Sequence, residues 1–311
     1  MYLIGIDIGG MSAKIGLVSN GKIIAHKKVK TVKETETFFD DISNAVNALL
    51  MENNIDKLQV KGVGVGCPGA ITAATGVVEF ANNLGWSKVP LGKELSDRLN
   101  LPVKITNDAN AAALGETKFG GGKNFNTTIT VTLGTGVGGG IVIDGKLYEG
   151  GESKGAEIGH TTLILGGEKC TCGRVGCAEA YVSATALVRD TKRAMVEDKT
   201  SLMWQTVGGD INAVDGTTAC ECAKKGDKTA IKVYDRYAFY LAEYFMNLFN
   251  IFRPDALIVG GGICNHGDYL LDKVKRLCEE SFYGYKGAPK VEIVTATLGN
   301  DAGILGAAAL I

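Results

Sequence analysis

One stretch of this chain occurs twice, and that constrains the fold more than any other feature. IGIDIGGMSAKIGLVSNGK starts at Ile4, and ITVTLGTGVGGGIVIDGK starts at Ile129. Each copy reads as an apolar strand, a glycine turn, a second apolar strand and a two-residue hairpin signal. Gly9 matches Gly134, and Asn20-Gly21 matches Asp144-Gly145 after a one-residue shift. Asn-Gly and Asp-Gly favour the tight turns whose twist suits paired strands. A duplication of this kind predicts two similar sheet domains facing each other, with ligand in the cleft between them.

The rest of the chain alternates strands and helices, which is an α/β pattern. Strands are expected at Tyr2 to Ile8, Val60 to Val65, Val103 to Thr106, Thr127 to Leu133 and Ala256 to Val259. Phe38, Phe39, Ile42, Val46, Leu49 and Leu50 fall on one helical face between Glu36 and Glu52. Further helices are expected at Ser183 to Val196, Asp215 to Lys225 and Thr229 to Phe252, with a closing helix from Asp301. The apolar face of the helix at Thr229 to Phe252 is expected to be buried inside its domain or in a dimer interface.

A chain of 311 residues, 45% hydrophobic, can build a sizeable core. A net charge of −1 provides no field toward nucleic acid or an anionic membrane. No apolar run approaches the roughly 20 residues that span a bilayer. The N-terminus lacks a basic leader, so the expected location is cytoplasmic.

Three motifs carry chemistry. The first is Asp7-Ile8-Gly9-Gly10 with Ser12 and Lys14, echoed by Gly134-Thr135-Gly136. Glycine lets backbone N–H groups approach a phosphate, and Asp7 can orient a magnesium-bound water. One such turn alone is equally an ordinary hairpin; two from facing domains make an ATP clamp. Neither is a P-loop, and neither has the following helix of a dinucleotide fingerprint.

The second motif is Asn107-Asp108-Ala109-Asn110, where a strand ends and a helix begins. Asp108 there is either a helix cap or a base able to accept a hydroxyl proton. The third is Glu157-Ile158-Gly159-His160 followed by Cys170-Thr171-Cys172 and Cys177-Ala178-Glu179. His160, Cys170, Cys172 and Cys177 make a complete tetrahedral set for a structural zinc. Glu157 and Glu179 flank it and suit sugar hydroxyls, or are solvated surface carboxylates. Cys67-Pro68-Gly69 is a turn that can hold backbone groups near a ligand. Asn82-Asn83-Leu84-Gly85-Trp86 presents an amide and a ring to a sugar, or is a capped turn with a packed Trp. Cys220 and Cys222 read as helix-packing residues, and His26 and His266 as surface histidines.

These motifs together resemble the ROK sugar kinases, and among them the bacterial glucokinases, over nearly the whole length. Cys170-x-Cys172-Gly173-x-x-Gly176-Cys177-x-Glu179 is the most specific part. The resemblance implies an actin-like ATPase, ribonuclease-H-like α/β fold with two similar domains around a cleft. Residues 1–116 would form a small N-terminal domain completed by the helix 301–311. Residues 117–300 would form the larger domain carrying the zinc loop. Asp108 would be the base for the sugar 6-hydroxyl. Asn107, Glu157, His160 and Glu179 would hold the other hydroxyls, and Gly261 and Gly262 look like the adenosine-side loop. Met11 stands where the family usually has Thr, with the Ser12 hydroxyl beside it.

The expected activity is ATP-dependent phosphorylation of a hexose, glucose first, then N-acetylmannosamine, fructose or a β-glucoside. ATP would come with Mg2+, and the metal loop would hold Zn2+. The resemblance also implies a homodimer or homotetramer. A sugar-responsive regulator is disfavoured because no helix-turn-helix precedes the strand at Tyr2. An actin-like filament protein would have no use for the zinc loop.

Overall fold

The computed structural model describes residues 1–281, 283–284 and 290–311. It begins with three antiparallel strands, β1 (Tyr2–Ile8), β2 (Ser12–Ser19) and β3 (Lys22–Lys30). Then come α1 (Thr35–Glu52), β4 (Val60–Cys67), a small sheet of β5 (Ala70–Thr72), β6 (Val77–Ala81) and β7 (Trp86–Val89), then α2 (Leu91–Leu99), β8 (Val103–Asn107) and α3 (Asp108–Phe119). The second copy supplies β9 (Thr128–Leu133), β10 (Val137–Ile143) and β11 (Lys146–Tyr148). Helices α4 (Glu179–Val182), α5 (Ala184–Glu197), α6 (Leu202–Thr206), α7 (Thr218–Lys224) and α8 (Lys228–Phe252) follow. The chain closes with β12 (Ala256–Gly260), α9 (Asp268–Ser281), β13 (Glu292–Thr295) and α10 (Ala302–Ala308).

The two main sheets have the order β3-β2-β1-β4-β8 and β11-β10-β9-β12-β13. Numbered within each copy, both are the same order of three antiparallel strands followed by two added beside the first. The duplication seen in the hairpins therefore extends to the sheets. Asn20 and Asp144 both take positive φ, 48° and 51°, followed by Gly21 and Gly145 at 71°. This is the paired left-handed geometry that Asn-Gly and Asp-Gly were expected to supply.

Packing divides the chain into two compact units. One comprises Met1–Thr130, Gly139–Ala156 and Ala296–Ile311, and the other Val131–Gly138 and Glu157–Thr295. The sequence-based division between 116 and 117 falls inside α3.

In the first unit Ile4, Ile6 and Ile8 of β1 join Phe38, Phe39 and Ile42 of α1 and Leu91 and Leu95 of α2 in one core. Each such side chain, fully buried, contributes about 1.5–3 kcal/mol relative to exposure. On the other face α10 lies against β1 and β4 with almost no side chain between. A Cβ on Gly64 would land on the Ala307 carbonyl of α10, and beside it one on Gly66 would sit 2.9 Å from the Ala111 methyl of α3. The alternation Gly62-Val63-Gly64-Val65-Gly66 thus pairs an apolar face with a bare one. Trp86 is buried against Phe38 and Phe39, with both ring centroids 5.8 Å away. Of the two roles open to that segment, the ring takes the packed one.

In the second unit α8 buries Val233, Tyr237, Leu241 and Phe245 within the unit itself. Cys220 and Cys222 are buried on α7, as expected of packing residues. His26 is exposed on β3, but the expectation of a surface His266 is corrected, for it is 4% exposed. Its Nδ1 lies 2.9 Å from the Tyr234 hydroxyl, and its carbonyl accepts from Lys224 Nζ at 3.2 Å. Burial pushes its pKa below the ordinary 6.5, against a raising hydrogen bond with the Gly216 backbone; nearby Lys224 adds to the lowering and Asp215 opposes it.

A histidine depressed in the folded state leaves the unfolded chain binding more protons below pH 6.5. Its stabilising contribution is therefore complete above pH 6.5 and lost as pH falls toward the lower folded value. Urea midpoints of wild type should drop between pH 7.5 and 5.5 more than those of His266→Gln. Equal drops would show that His266 does not titrate in this way.

Candidate functional site

The first unit gathers one group of expected residues around the ends of β1, β4 and β8. Asp7 pairs across the hairpin with Lys14, whose Nζ lies 3.3 Å from Asp7 Oδ2. Gly303, in the first turn of α10, packs on that carboxylate: a Cβ there would lie 2.7 Å from Asp7 Cγ. Lys14 Nζ also reaches the Asn300 carbonyl at 3.5 Å. The turn between the strands is closed by Gly9 N–H donating to Ser12 O at 3.0 Å. Thr31 Oγ1 donates to Gly9 O at 2.8 Å. Met11, at the tip, is 88% exposed, and Ser12 is the first residue of β2. A Cβ on Gly10 would come 3.8 Å from Asn83 Cβ, so the expected phosphate turn and the exposed Asn83 are neighbours.

Asn107, not Asp108, is the N-cap of α3, because Asn107 keeps extended backbone angles while Asp108 is already helical. Asn107 Oδ1 and Asp108 Oδ1 both accept from Ala109 N–H at 2.9 Å. Asn107 Nδ2 donates to the Gly69 carbonyl at 3.1 Å, tying the turn after β4 to the start of α3. Gly69 has φ +106°, which few other residues adopt. Asp108 is half-buried at the carboxyl end of a parallel strand, the edge where open α/β sheets meet ligands. Burial, and secondly the Asp108 charge, push the Cys67 thiol far up, so that cysteine is an inert thiol.

The second unit holds the other group. His160, Cys170, Cys172 and Cys177 place their ligand atoms within 4.8 Å of one another. Cys172 Sγ and Cys177 Sγ are 3.7 Å apart, and Cys170 Sγ is 3.6 Å from His160 Nδ1. A disulfide needs sulfurs near 2.05 Å. With metal–sulfur bonds of about 2.3 Å and metal–nitrogen bonds of about 2.0–2.1 Å, a tetrahedron has edges of about 3.8 and 3.6 Å. The donor set and its spacing therefore fit a four-coordinate metal ion. The loop folds this way through local bonds: Cys170 N–H donates to Arg174 O at 2.9 Å and Ala178 N–H to Thr161 O at 2.8 Å. Arg174 donates to the His160 carbonyl at 3.2 Å and to Thr162 Oγ1 at 3.1 Å.

Glu157 is exposed just before the short helical turn Ile158–His160. Glu179 is the first residue of α4, and its carboxylate is engaged on both oxygens. Oε2 accepts from Val137 N–H at 3.0 Å; Oε1 accepts from Thr171 Oγ1 at 2.7 Å and lies 3.3 Å from Cys170 Sγ. Burial raises its pKa, but these hydrogen bonds together outweigh burial and hold it below the ordinary carboxylate value. Glu179 thus joins the 170–177 loop to the turn Gly134-Thr135-Gly136, a long-range contact with no local pattern in the chain. Gly261, at φ +90°, lies against the backbone of Leu133, so the turns after β9 and β12 are adjacent, with Gly262 following.

Among the described residues no helix is long and apolar enough to cross a membrane. The glucokinase of Streptomyces coelicolor is 36% identical over 310 residues, covering 99% of this chain and 96% of that protein. The glucokinase of Thermotoga maritima is 38% identical over 317 residues, covering 100% of this chain and 97% of its own length. The solved structure of a ROK family glucokinase from Streptomyces griseus, in complex with glucose and AMPPNP, matches with a TM-score of 0.76. Its identity is 35%, over 100% of this chain and 99% of that one. The repeated strand order and these neighbours give the actin-like ATPase fold. Residues 3–311 match the ROK family as a whole, and the chain belongs to that family.

Proposed function

We propose that this protein transfers the γ-phosphoryl group of ATP to the 6-hydroxyl of a hexose, with glucose as the substrate. The observation that carries this reading is the pairing of two features. Asn107 caps α3 and sets Asp108 at the carboxyl end of β8. The glucokinase relatives align along nearly the entire chain. A hydroxyl is a weak nucleophile until its proton has somewhere to go. Asp108 accepts that proton as the oxygen–phosphorus bond forms, and ADP leaves.

Asn107, Glu157, His160 and Glu179 hold the other hydroxyls, and Gly69 and Asn83 also bind the sugar. Asp7, Gly9, Gly10, Ser12 and Lys14, together with Gly134, Thr135, Gly136, Gly261 and Gly262, hold the nucleotide. Mg2+ accompanies ATP and neutralises developing phosphate charge. Zinc is the ion the Cys3His set suits, and a closed set of this kind is structural. His160 faces the cluster through Nδ1, which leaves Nε2 for substrate.

The test is ADP release with ATP, Mg2+ and a panel of glucose, N-acetylmannosamine, fructose and a β-glucoside. Turnover is expected to be greatest with glucose. A preference for another sugar would replace glucose in the proposal. Absence of turnover on every sugar, with metal bound, would sink the kinase reading.

A further inference from the structure

We propose that Thr171 is a positioning residue that extends the order of the metal loop to the nucleotide side of the site through Glu179. This rests on the kinase reading above. Thr171 lies between Cys170 and Cys172, both in the metal cluster, so a bound ion fixes the backbone on either side of it. Its hydroxyl donates to Glu179 Oε1 at 2.7 Å, and Glu179 Oε2 accepts the Val137 N–H at 3.0 Å. Val137 directly follows Gly134-Thr135-Gly136, the turn assigned to phosphate.

That turn is built around the carboxylate. A Cβ on Gly136 would come 2.5 Å from Glu179 Oε2, so a side chain there would displace the carboxylate from its place beneath the turn. The other bonds to the turn hold its carbonyls: Ala184 N–H to Gly134 O at 2.8 Å and Thr185 Oγ1 to Thr135 O at 2.8 Å. Glu179 anchors the outgoing strand from the opposite sign, through an N–H. A carboxylate has about four acceptor positions, so these two bonds leave others for a substrate hydroxyl. With the Thr171 hydroxyl removed, one of the bonds that fix the Glu179 orientation is lost. The Val137 amide and the phosphate turn then lose a fixed partner.

The experiment uses Thr171→Val, which keeps the shape and deletes the hydroxyl, and Thr171→Ser, which restores it. Binding of AMPPNP with Mg2+ is measured by calorimetry without sugar, alongside zinc content and the KM for ATP and for glucose. Thr171→Val should retain its zinc, bind AMPPNP about five- to tenfold more weakly and show a raised KM for ATP, with kcat changed less, in line with one hydrogen bond to a charged group acting indirectly. Thr171→Ser should return to within about twofold of wild type on the same grounds. Chelating the metal should weaken AMPPNP binding in wild type more than in Thr171→Val, because the link is already cut there.

Unchanged AMPPNP binding in Thr171→Val, loss of its zinc, or failure of Thr171→Ser to restore binding would each overturn the proposal. Wild type that binds neither AMPPNP nor any sugar would instead bring down the kinase reading, and this proposal with it.

Discussion

Asp108→Asn should lower kcat by about 100- to 10,000-fold, the range a positioned general base contributes. The substitution is nearly isosteric. An Asn oxygen can still accept the Ala109 N–H that Asp108 Oδ1 accepts at 2.9 Å, and Asn107 continues to cap α3. The fold should therefore survive, with a thermal midpoint close to wild type. Binding of glucose and nucleotide should also stay within a few-fold, because proton acceptance matters in the transition state rather than the ground state. Steady-state kinetics with calorimetric binding on the same preparation check this. A variant within tenfold of wild-type kcat would remove Asp108 from the role of base, although the kinase activity could stand.

The second large effect concerns stability. Glu116 is 2% exposed in α3, and its carboxylate accepts three backbone amides. Gly121 N–H donates to Oε2 at 3.0 Å, Thr297 N–H to Oε2 at 2.9 Å and Leu298 N–H to Oε1 at 2.8 Å. One side chain thus fastens the exit from α3 and the strand-to-helix return before α10. Glu116→Ala would take the shared acceptor from all three donors. The expected loss is about 3 kcal/mol, since hydrogen bonds to charged groups are the stronger kind and unsatisfied donors are costly. Glu116→Gln keeps one acceptor oxygen but turns an NH2 toward donors, so it should lie between. Urea unfolding of the three proteins gives the order directly. A shift below about 1 kcal/mol for Glu116→Ala would mean that water replaces the carboxylate at little cost.

The features legible in the sequence were those that act over short distances. The hairpins β1–β2 and β9–β10 follow from strand-forming runs on either side of glycine. The I′-type turns of the next hairpins, β2–β3 and β10–β11, follow from Asn20-Gly21 and Asp144-Gly145. The grouping of His160 with three cysteines was legible for the same reason: Cys170, Cys172 and Cys177 lie close in the chain, and a loop that short can fold back on itself. The cap at Asn107 and the placement of Asp108 in the first turn of α3 were half legible. The strand-to-helix junction was evident, but which of the two neighbours would cap it depended on backbone angles. The sheet of β5, β6 and β7 was missed because its strands are only three to five residues long and carry little periodicity.

The repeated hairpins, the α/β class and the grouping of three cysteines with a histidine were therefore written in the chain itself, because strand alternation, turn geometry and short ligand spacing are local properties. Tertiary structure alone decided where distant side chains meet. It sent the Trp86 ring into the core beside Phe38 and Phe39 and buried His266 under Tyr234. It placed Glu179 beneath Val137, 42 residues away, and Glu116 beside Thr297, 181 residues away. Such contacts exist only after the sheets have paired and the helices have packed on them. The residues that make them carry no local pattern, and a carboxylate that will hold three amides reads in the chain like any other helical Glu.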